Sequence, residues 1–313
     1  MFLERVSHYL PEPVVGNDHF TRLNGLSDEW ITERTGIRER RKAPPGENTN
    51  TMAVAAVQQL QTQTDLSGVD LIVGATYTPH DTIVTLAHAV QYALGINDIP
   101  VVSISSACSS LLNAIEIVEG YFAMGKASRA LVVVSEHNTA YNNDEDTVSG
   151  HLWGDGASAL LITKVPPTSG GFRIRELITG GAACSGKATE AVVMKPLERG
   201  MIMPFGRDVF QQACTYMPKV SKQVLEKAGL TIDDVDFVLP HQANLRISRN
   251  VMQTLGLPDE KLLSNIERLG NTGCAGCAIA LSEHWEQFMP GHRIVITVFG
   301  GGYSFGAMLL EAI

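Results

Sequence analysis

The chain has 313 residues, 44% of them apolar and 18% charged, with a formal net charge of −9. This composition describes a folded protein long enough for two lobes, and its negative charge excludes a broad basic surface for non-specific nucleic-acid binding. Five cysteines, an odd number at low density, exclude a secreted disulfide framework, and no run of about 18 apolar residues is available to cross a bilayer.

In chain order, the opening MFLERVSHYLPEP carries charges inside its apolar stretch and has no signal-peptide core, so the cytoplasm is the expected compartment. Thr51 to Leu60 has helical spacing. Short apolar runs predict buried strands at Leu71 to Ala75 and Val101 to Ile104. Ser109 to Met124 puts Leu111, Leu112, Ile115, Val118, Tyr121 and Phe122 on one broad face and stops near Gly125, which predicts a helix. Strands are predicted again at Ala130 to Ser135 and Ala157 to Ile162. Val209 to Ala228 reads as a helix, and Phe237 to Leu239 and Ile294 to Phe299 as the last strands. Strands alternating with helices predict an α/β architecture with buried sheets.

The sequence also repeats. Val69-Asp70-Leu71-Ile72-Val73 is matched by Val235-Asp236-Phe237-Val238-Leu239, and Cys108 by Cys274, both at an offset of 166 residues (69 to 235, 108 to 274). Each cysteine precedes a helix and then a Val/Ile-rich strand. So long a period predicts duplicated halves, with a boundary near Lys164-Val165-Pro166-Pro167. The expected units are residues 1–165 and 166–313.

Several residues have the chemistry of a site. Cys108, in Ser105-Ser106-Ala107-Cys108-Ser109-Ser110, lies between a strand and a helix start, where the helix dipole and free N–H groups favour thiolate. An apolar-flanked cysteine can equally be inert core. His241, in Leu239-Pro240-His241-Gln242-Ala243-Asn244, follows a strand end, where α/β sites gather. Asn271, in Leu269-Gly270-Asn271-Thr272-Gly273, reads as a site residue or a turn residue. Phe299-Gly300-Gly301-Gly302-Tyr303 lets backbone approach a ligand closely. Gly154-Asp155-Gly156 reads as a structural turn. Cys274-Ala275-Gly276-Cys277 has no second pair or spaced histidines to complete a zinc site, so no metal is expected and both cysteines read as small packing residues.

Together Cys108, His241-Gln242-Ala243-Asn244, Gly270-Asn271-Thr272 and Phe299-Gly300-Gly301-Gly302 occur in the order seen in β-ketoacyl-ACP synthase III-like enzymes. Asp28-Glu29-Trp30-Ile31 with Arg34-Thr35-Gly36-Ile37 resembles that family's N-terminal signature, so the similarity spans nearly the whole chain. The resemblance implies a five-layered α-β-α-β-α thiolase fold from two duplicated halves, a homodimer, no cofactor, and thioesters of CoA or of acyl carrier protein as substrates and partners. It implies Cys108, His241 and Asn271 as the catalytic set, with backbone N–H groups of Cys108 and Gly301 as the oxyanion hole. It further implies that Trp30, Asn244, Arg246 and Arg249 meet the substrate or its carrier, and that Ile83 gates the pocket across a dimer interface.

The expected reaction loads an acyl group onto Cys108 and condenses it with a malonyl- or β-ketoacyl-thioester. This sequence departs from the family's pattern in two places. Asp146-Thr147-Val148-Ser149 lacks an arginine common before the Gly-Asp-Gly turn, and Leu269 stands where histidine is common. These departures favour a specialised pathway, such as dialkylresorcinol or quinolone formation. Initiation of fatty-acid synthesis, and acyl transfer to an alcohol or amine on the same fold, are the alternatives.

Overall fold

The computed structural model describes every residue except Arg199. The predicted strands form, each within a residue or two of its apolar run: Leu71–Ala75, Val101–Ile104, Arg129–Glu136, Gly156–Thr163, Phe237–Pro240 and Arg293–Gly300. Three further strands join them. Phe2–Tyr9 buries only Leu3, Val6 and Ser7 and carries Glu4 and Arg5 between them, so its apolar signal is broken. Phe172–Gly181 and Ser304–Ala312 complete the nine strands of the main sheet, while Val14–Gly16 with Glu39–Arg41, and Val193–Lys195 with Gly200–Ile202, form two separate two-stranded ribbons.

These nine strands join one mixed sheet. Its order is Phe237–Pro240, Arg293–Gly300, Ser304–Ala312, Phe172–Gly181, Phe2–Tyr9, Gly156–Thr163, Arg129–Glu136, Leu71–Ala75, Val101–Ile104. The middle junction is narrow, with only Phe2↔Arg173 and Leu3↔Phe172 in register. On one side of it Leu71–Ala75 runs parallel to both of its neighbours, and Gly156–Thr163 returns antiparallel. On the other side Phe237–Pro240 runs parallel to Arg293–Gly300, and Ser304–Ala312 returns antiparallel. A single parallel bridge, Val238↔Leu262, stands where the first side has Val101–Ile104. Even the strand starts repeat. The Asp70 carboxylate accepts the Arg129 N–H, and the Asp236 carboxylate accepts the Arg293 N–H. From this repetition we propose residues 1–165 and 166–313 as the two units.

Alternation of side chains along the strands sorts the molecule into layers. Leu71, Val73, Val132 and Ile162 on one side, and Leu239, Ile296 and Met308 on the other, close on the same two helices, Ser110–Ala123 and Gly276–Glu283. The opposite faces pack outward. Ile72, Leu131 and Leu161 meet helices Thr49–Gln61 and Leu86–Leu94. Val238, Val295 and Leu309 meet Gly206–Lys227 and Leu245–Leu255. The result is helix, sheet, helix, sheet, helix, the two sheet layers being the two sides of the one continuous sheet, each buried on both faces as parallel strands require. Among the described residues no helix is long and apolar enough to cross a membrane.

Candidate active site

The parallel strands of both sides end in one region. Beyond Val101–Ile104 the chain makes a tight turn in which Ala107 takes φ +50°, a left-handed conformation that L-residues adopt reluctantly. That turn presents Cys108 ahead of helix Ser110–Ala123. Hydroxyls hold it in place. Ser110 Oγ accepts from the Ser106 N–H at 2.7 Å and donates to Ala107 O at 2.6 Å. Ser304, from the last strand, accepts from Ser109 Oγ at 2.7 Å and donates to Ser106 O at 2.9 Å. Gly300 packs directly on this turn: a Cβ there would lie 2.7 Å from the Cys108 nitrogen.

His241 follows strand Phe237–Pro240, and its N–H donates to Thr297 O at 2.8 Å. Gln242 fixes the loop by accepting the Asn265 N–H at 3.0 Å and the Ser264 hydroxyl at 2.9 Å. Asn271 is tied by its backbone to Leu152 and Gly154. Its side-chain oxygen accepts the Gly273 N–H at 2.9 Å. That bond fixes the amide's polarity and leaves its NH₂ as the free, donating end.

Cys108, His241 and Asn271 line one cavity of about 360 Å³ with Gly300, Gly301 and Gly302. Its remaining wall is apolar, with Met194, Met201, Met203 and Met217 contributing flexible thioether surface. No lysine or arginine lines it among the described residues. Burial pushes the His241 imidazole down to about 4, so the ring is neutral at physiological pH.

The sulfur itself differs from expectation. Helix position predicts an acidic thiol, but burial, and then the negative charge of Glu136, push Cys108 up to about 12. Glu136 ends strand Arg129–Glu136 and is wholly buried. Burial raises its carboxyl to about 7, against hydrogen bonds that favour the anion from Cys274, Thr78, Thr76 and the Tyr77 N–H. Cys274 is therefore more than the packing residue expected of it, since its thiol donates to Glu136 Oε1 at 2.9 Å. Cys277 is buried in the core. Tyr77 lines the cavity and has the Cys108 thiol as a neighbour. Neither Tyr77 nor Glu136 belongs to a sequence motif. Their common signal was position, since each stands at the C-terminal end of an apolar parallel strand.

The other expected site residues lie elsewhere. Trp30 packs edge-on against His151, ring centroids 5.4 Å apart, and Arg34 covers its face at 4.3 Å. Asn244 does not line the cavity. Its oxygen caps helix Leu245–Leu255 at the Arg246 N–H and its NH₂ donates to Arg34 O, so both ends of the amide are occupied by the fold. Its neighbours Ala243 and Ile247 line the cavity instead. Arg246 and Arg249 are exposed; Arg246 lies 6.0 Å from the Phe210 ring and Arg249 is 3.4 Å from Asp259. Ile83 is 83% exposed on the surface and touches no part of this cavity. Asp155 braces backbone, accepting from the Ala43 and Thr139 N–H groups at 2.8 and 2.9 Å. Among the described residues no cluster of three or more His, Cys, Asp or Glu side chains is arranged for a metal.

A thiol, a neutral imidazole and an oriented amide donor in one largely apolar cavity suit acyl transfer followed by stabilisation of an oxyanion or enolate. Comparisons with known proteins agree with this geometry. The family model for 3-oxoacyl-[acyl-carrier-protein (ACP)] synthase III matches residues 102–181, and the model for its C-terminal part matches residues 225–312. The β-ketoacyl-[acyl-carrier-protein] synthase III of Acholeplasma laidlawii is 36% identical, over 97% of this chain and 96% of that one. The crystal structure of 3-oxoacyl-[acyl-carrier-protein] synthase III from Aquifex aeolicus superposes with a TM-score of 0.92 at 34% identity, covering 99% of both chains. The priming β-ketosynthase of the R1128 polyketide biosynthetic pathway superposes at 0.88 with 28% identity, covering 99% of this chain and 96% of that one. With its motifs, five layers and cavity all in agreement, this chain belongs to the β-ketoacyl-[acyl-carrier-protein] synthase III family of condensing enzymes.

Proposed function

We propose that the chain initiates acyl-chain synthesis by carrying a primer on Cys108 and condensing it with a malonyl thioester on acyl carrier protein. The observation that carries this reading is the shared cavity of Cys108, His241 and Asn271. In the first half-reaction the Cys108 sulfur attacks the primer thioester. The new thioester forms at Cys108, and the departing thiol takes up the proton that Cys108 gives up. The N–H groups of Cys108 and Gly301 hold the oxyanion.

In the second half-reaction the malonyl carboxylate enters a cavity whose described lining carries no lysine or arginine. Its desolvation favours loss of CO₂, leaving an enolate. The His241 ring N–H and the Asn271 NH₂ donate to the enolate oxygen. Neutral histidine suits this role because it donates without exchanging a charge at working pH. The enolate carbon attacks acyl-Cys108, and the sulfur leaves and regains a proton. The products are a β-ketoacyl thioester and CO₂.

The departures at Asp146–Ser149 and at Leu269 favour a specialised pathway in the sequence. Relatives named β-ketoacyl-[acyl-carrier-protein] synthase III, at 33–36% identity, support initiation instead, and we place it first. Arg34 already covers the Trp30 face, so we assign delivery to carrier-protein thioesters over free CoA. We also propose a homodimer through the free edge of strand Val101–Ile104, where Ile83, Val84 and Tyr92 leave an exposed apolar surface. Sedimentation equilibrium returning a monomer would overturn that assembly.

The test of the reaction is single turnover. Acyl-loaded enzyme mixed with malonyl carrier protein should yield one β-ketoacyl product and one CO₂ per active site. Turnover of the acyl enzyme only by an added alcohol or amine would replace this reading with simple acyl transfer.

A further inference from the structure

Tyr77 and Glu136 have no role in the mechanism above, yet Tyr77 lines the cavity with Cys108, and the Glu136 carboxylate holds the Tyr77 segment and acts on the thiol through its charge. The Tyr77 phenol oxygen is buried, belongs to a residue of the catalytic cavity's wall, and makes no hydrogen bond among the described residues. Its polar neighbours are the Cys108 thiol and the Asn138 carboxamide. Native proteins rarely leave a buried O–H without a use.

The fold holds this phenol from two sides. The N–H groups of Tyr77 and Thr78 point at the Glu136 carboxylate, at 3.3 and 3.2 Å. The Thr76 and Thr78 hydroxyls donate to the same carboxylate at 3.0 and 2.5 Å. Across the ring stands Gly273, at φ +59°, where a Cβ would come 2.4 Å from the phenol oxygen and 2.8 Å from Glu136 Cγ. Only glycine lets the ring and the carboxylate sit together against the loop that carries Asn271.

We propose that Tyr77 is a further catalytic residue, whose O–H donates to the Cys108 sulfur and stabilises the thiolate that attacks the primer, with Glu136 as its positioning residue. The proposal rests on Cys108 being the nucleophile. The titratable groups around that sulfur are Tyr77, Glu136, Cys274, Cys277 and His241. His241 is neutral, and burial keeps Cys274 and Cys277 protonated. The contest is then between the Glu136 charge, which opposes a thiolate, and the Tyr77 donor with the helix N-terminus, which favour one. Burial also holds the Tyr77 phenol well above its ordinary range, so it keeps its own proton and acts as a donor, never as a base.

The experiment measures the rate of iodoacetamide alkylation of the Cys108 peptide at neutral pH by mass spectrometry, in wild type, Tyr77→Phe and Glu136→Gln. Tyr77→Phe keeps the ring and its packing. It should slow both alkylation and primer loading about tenfold. Glu136→Gln should speed alkylation. A purely structural role would not shift the two variants in opposite directions. An alkylation rate that stays put or rises in Tyr77→Phe overturns the proposal; if Glu136→Gln fails to fold, the phenylalanine variant decides alone. Primer transfer that survives Cys108→Ala would instead remove the nucleophile reading beneath it.

Discussion

Replacing Gly300 by alanine tests whether catalysis depends on how tightly the nucleophile turn is held. The new Cβ would stand 2.7 Å from the Cys108 nitrogen and 3.1 Å from both the Ser109 nitrogen and Ser304 Oγ. Two of these are backbone atoms, so no side chain can swing aside. Restoring ordinary contact at 3.4 Å moves the Cys108 backbone by about 0.7 Å. Displacements near 1 Å at a reacting centre cost on the order of 10²-fold in rate, whereas overpacking one methyl costs about 1–3 kcal/mol of stability. Gly300→Ala should therefore fold, melt a few degrees lower, and load primer roughly 100-fold more slowly. Loading is followed by the mass of the acyl enzyme in a quenched-flow time course, with melting on the same sample. Wild-type loading in a folded Gly300→Ala protein would refute the claim that the glycine seats the sulfur and its oxyanion donor.

Further outcomes follow from the same geometry. Asn271→Ala should leave primer loading within a few-fold of wild type and slow condensation by about 10²–10³-fold, the usual effect of removing one oxyanion-type donor; equal losses in both half-reactions would deny it a separate enolate role. His241 is held near 4 in the folded protein against about 6.5 unfolded. The unfolded chain thus binds the extra proton between those values, and stability falls as pH drops from about 6.5 to 4. Melting curves should show that slope weakened in His241→Asn, and an unchanged slope would mean the imidazole is already protonated or solvated. Reversing Arg246 and Arg249 to glutamate should raise KM for a carrier-protein thioester several-fold and leave loading from a small acyl thioester unchanged, whereas equal effects on both would exclude a docking role.

Much of this fold was legible because burial leaves a mark on sequence. Leu71–Ala75 and Gly156–Thr163 are buried at every position, and continuous apolar runs announced them. Phe2–Tyr9 was not legible, because Glu4 and Arg5 interrupt its apolar residues, each held in an ion pair, with Arg129 and Glu286 respectively. Motif order pointed to Cys108, His241 and Asn271, and the fold brings the three to one cavity, although no local feature brings residues 108, 241 and 271 together. Glu136 escaped for a related reason. Its partner Cys274 is 138 residues away, and a single glutamate closing a valine-rich strand resembles an exposed strand end. The acidity expected of Cys108 erred in the same way. The helix start was visible in the sequence, but the carboxylate behind it was not.

The central claim is most directly tested by mapping where the primer goes. Purified protein incubated with a labelled acyl carrier-protein thioester should gain one acyl mass on the peptide containing Cys108, and Cys108→Ala should gain none. An adduct on any other residue, or one that persists in Cys108→Ala, would contradict the account.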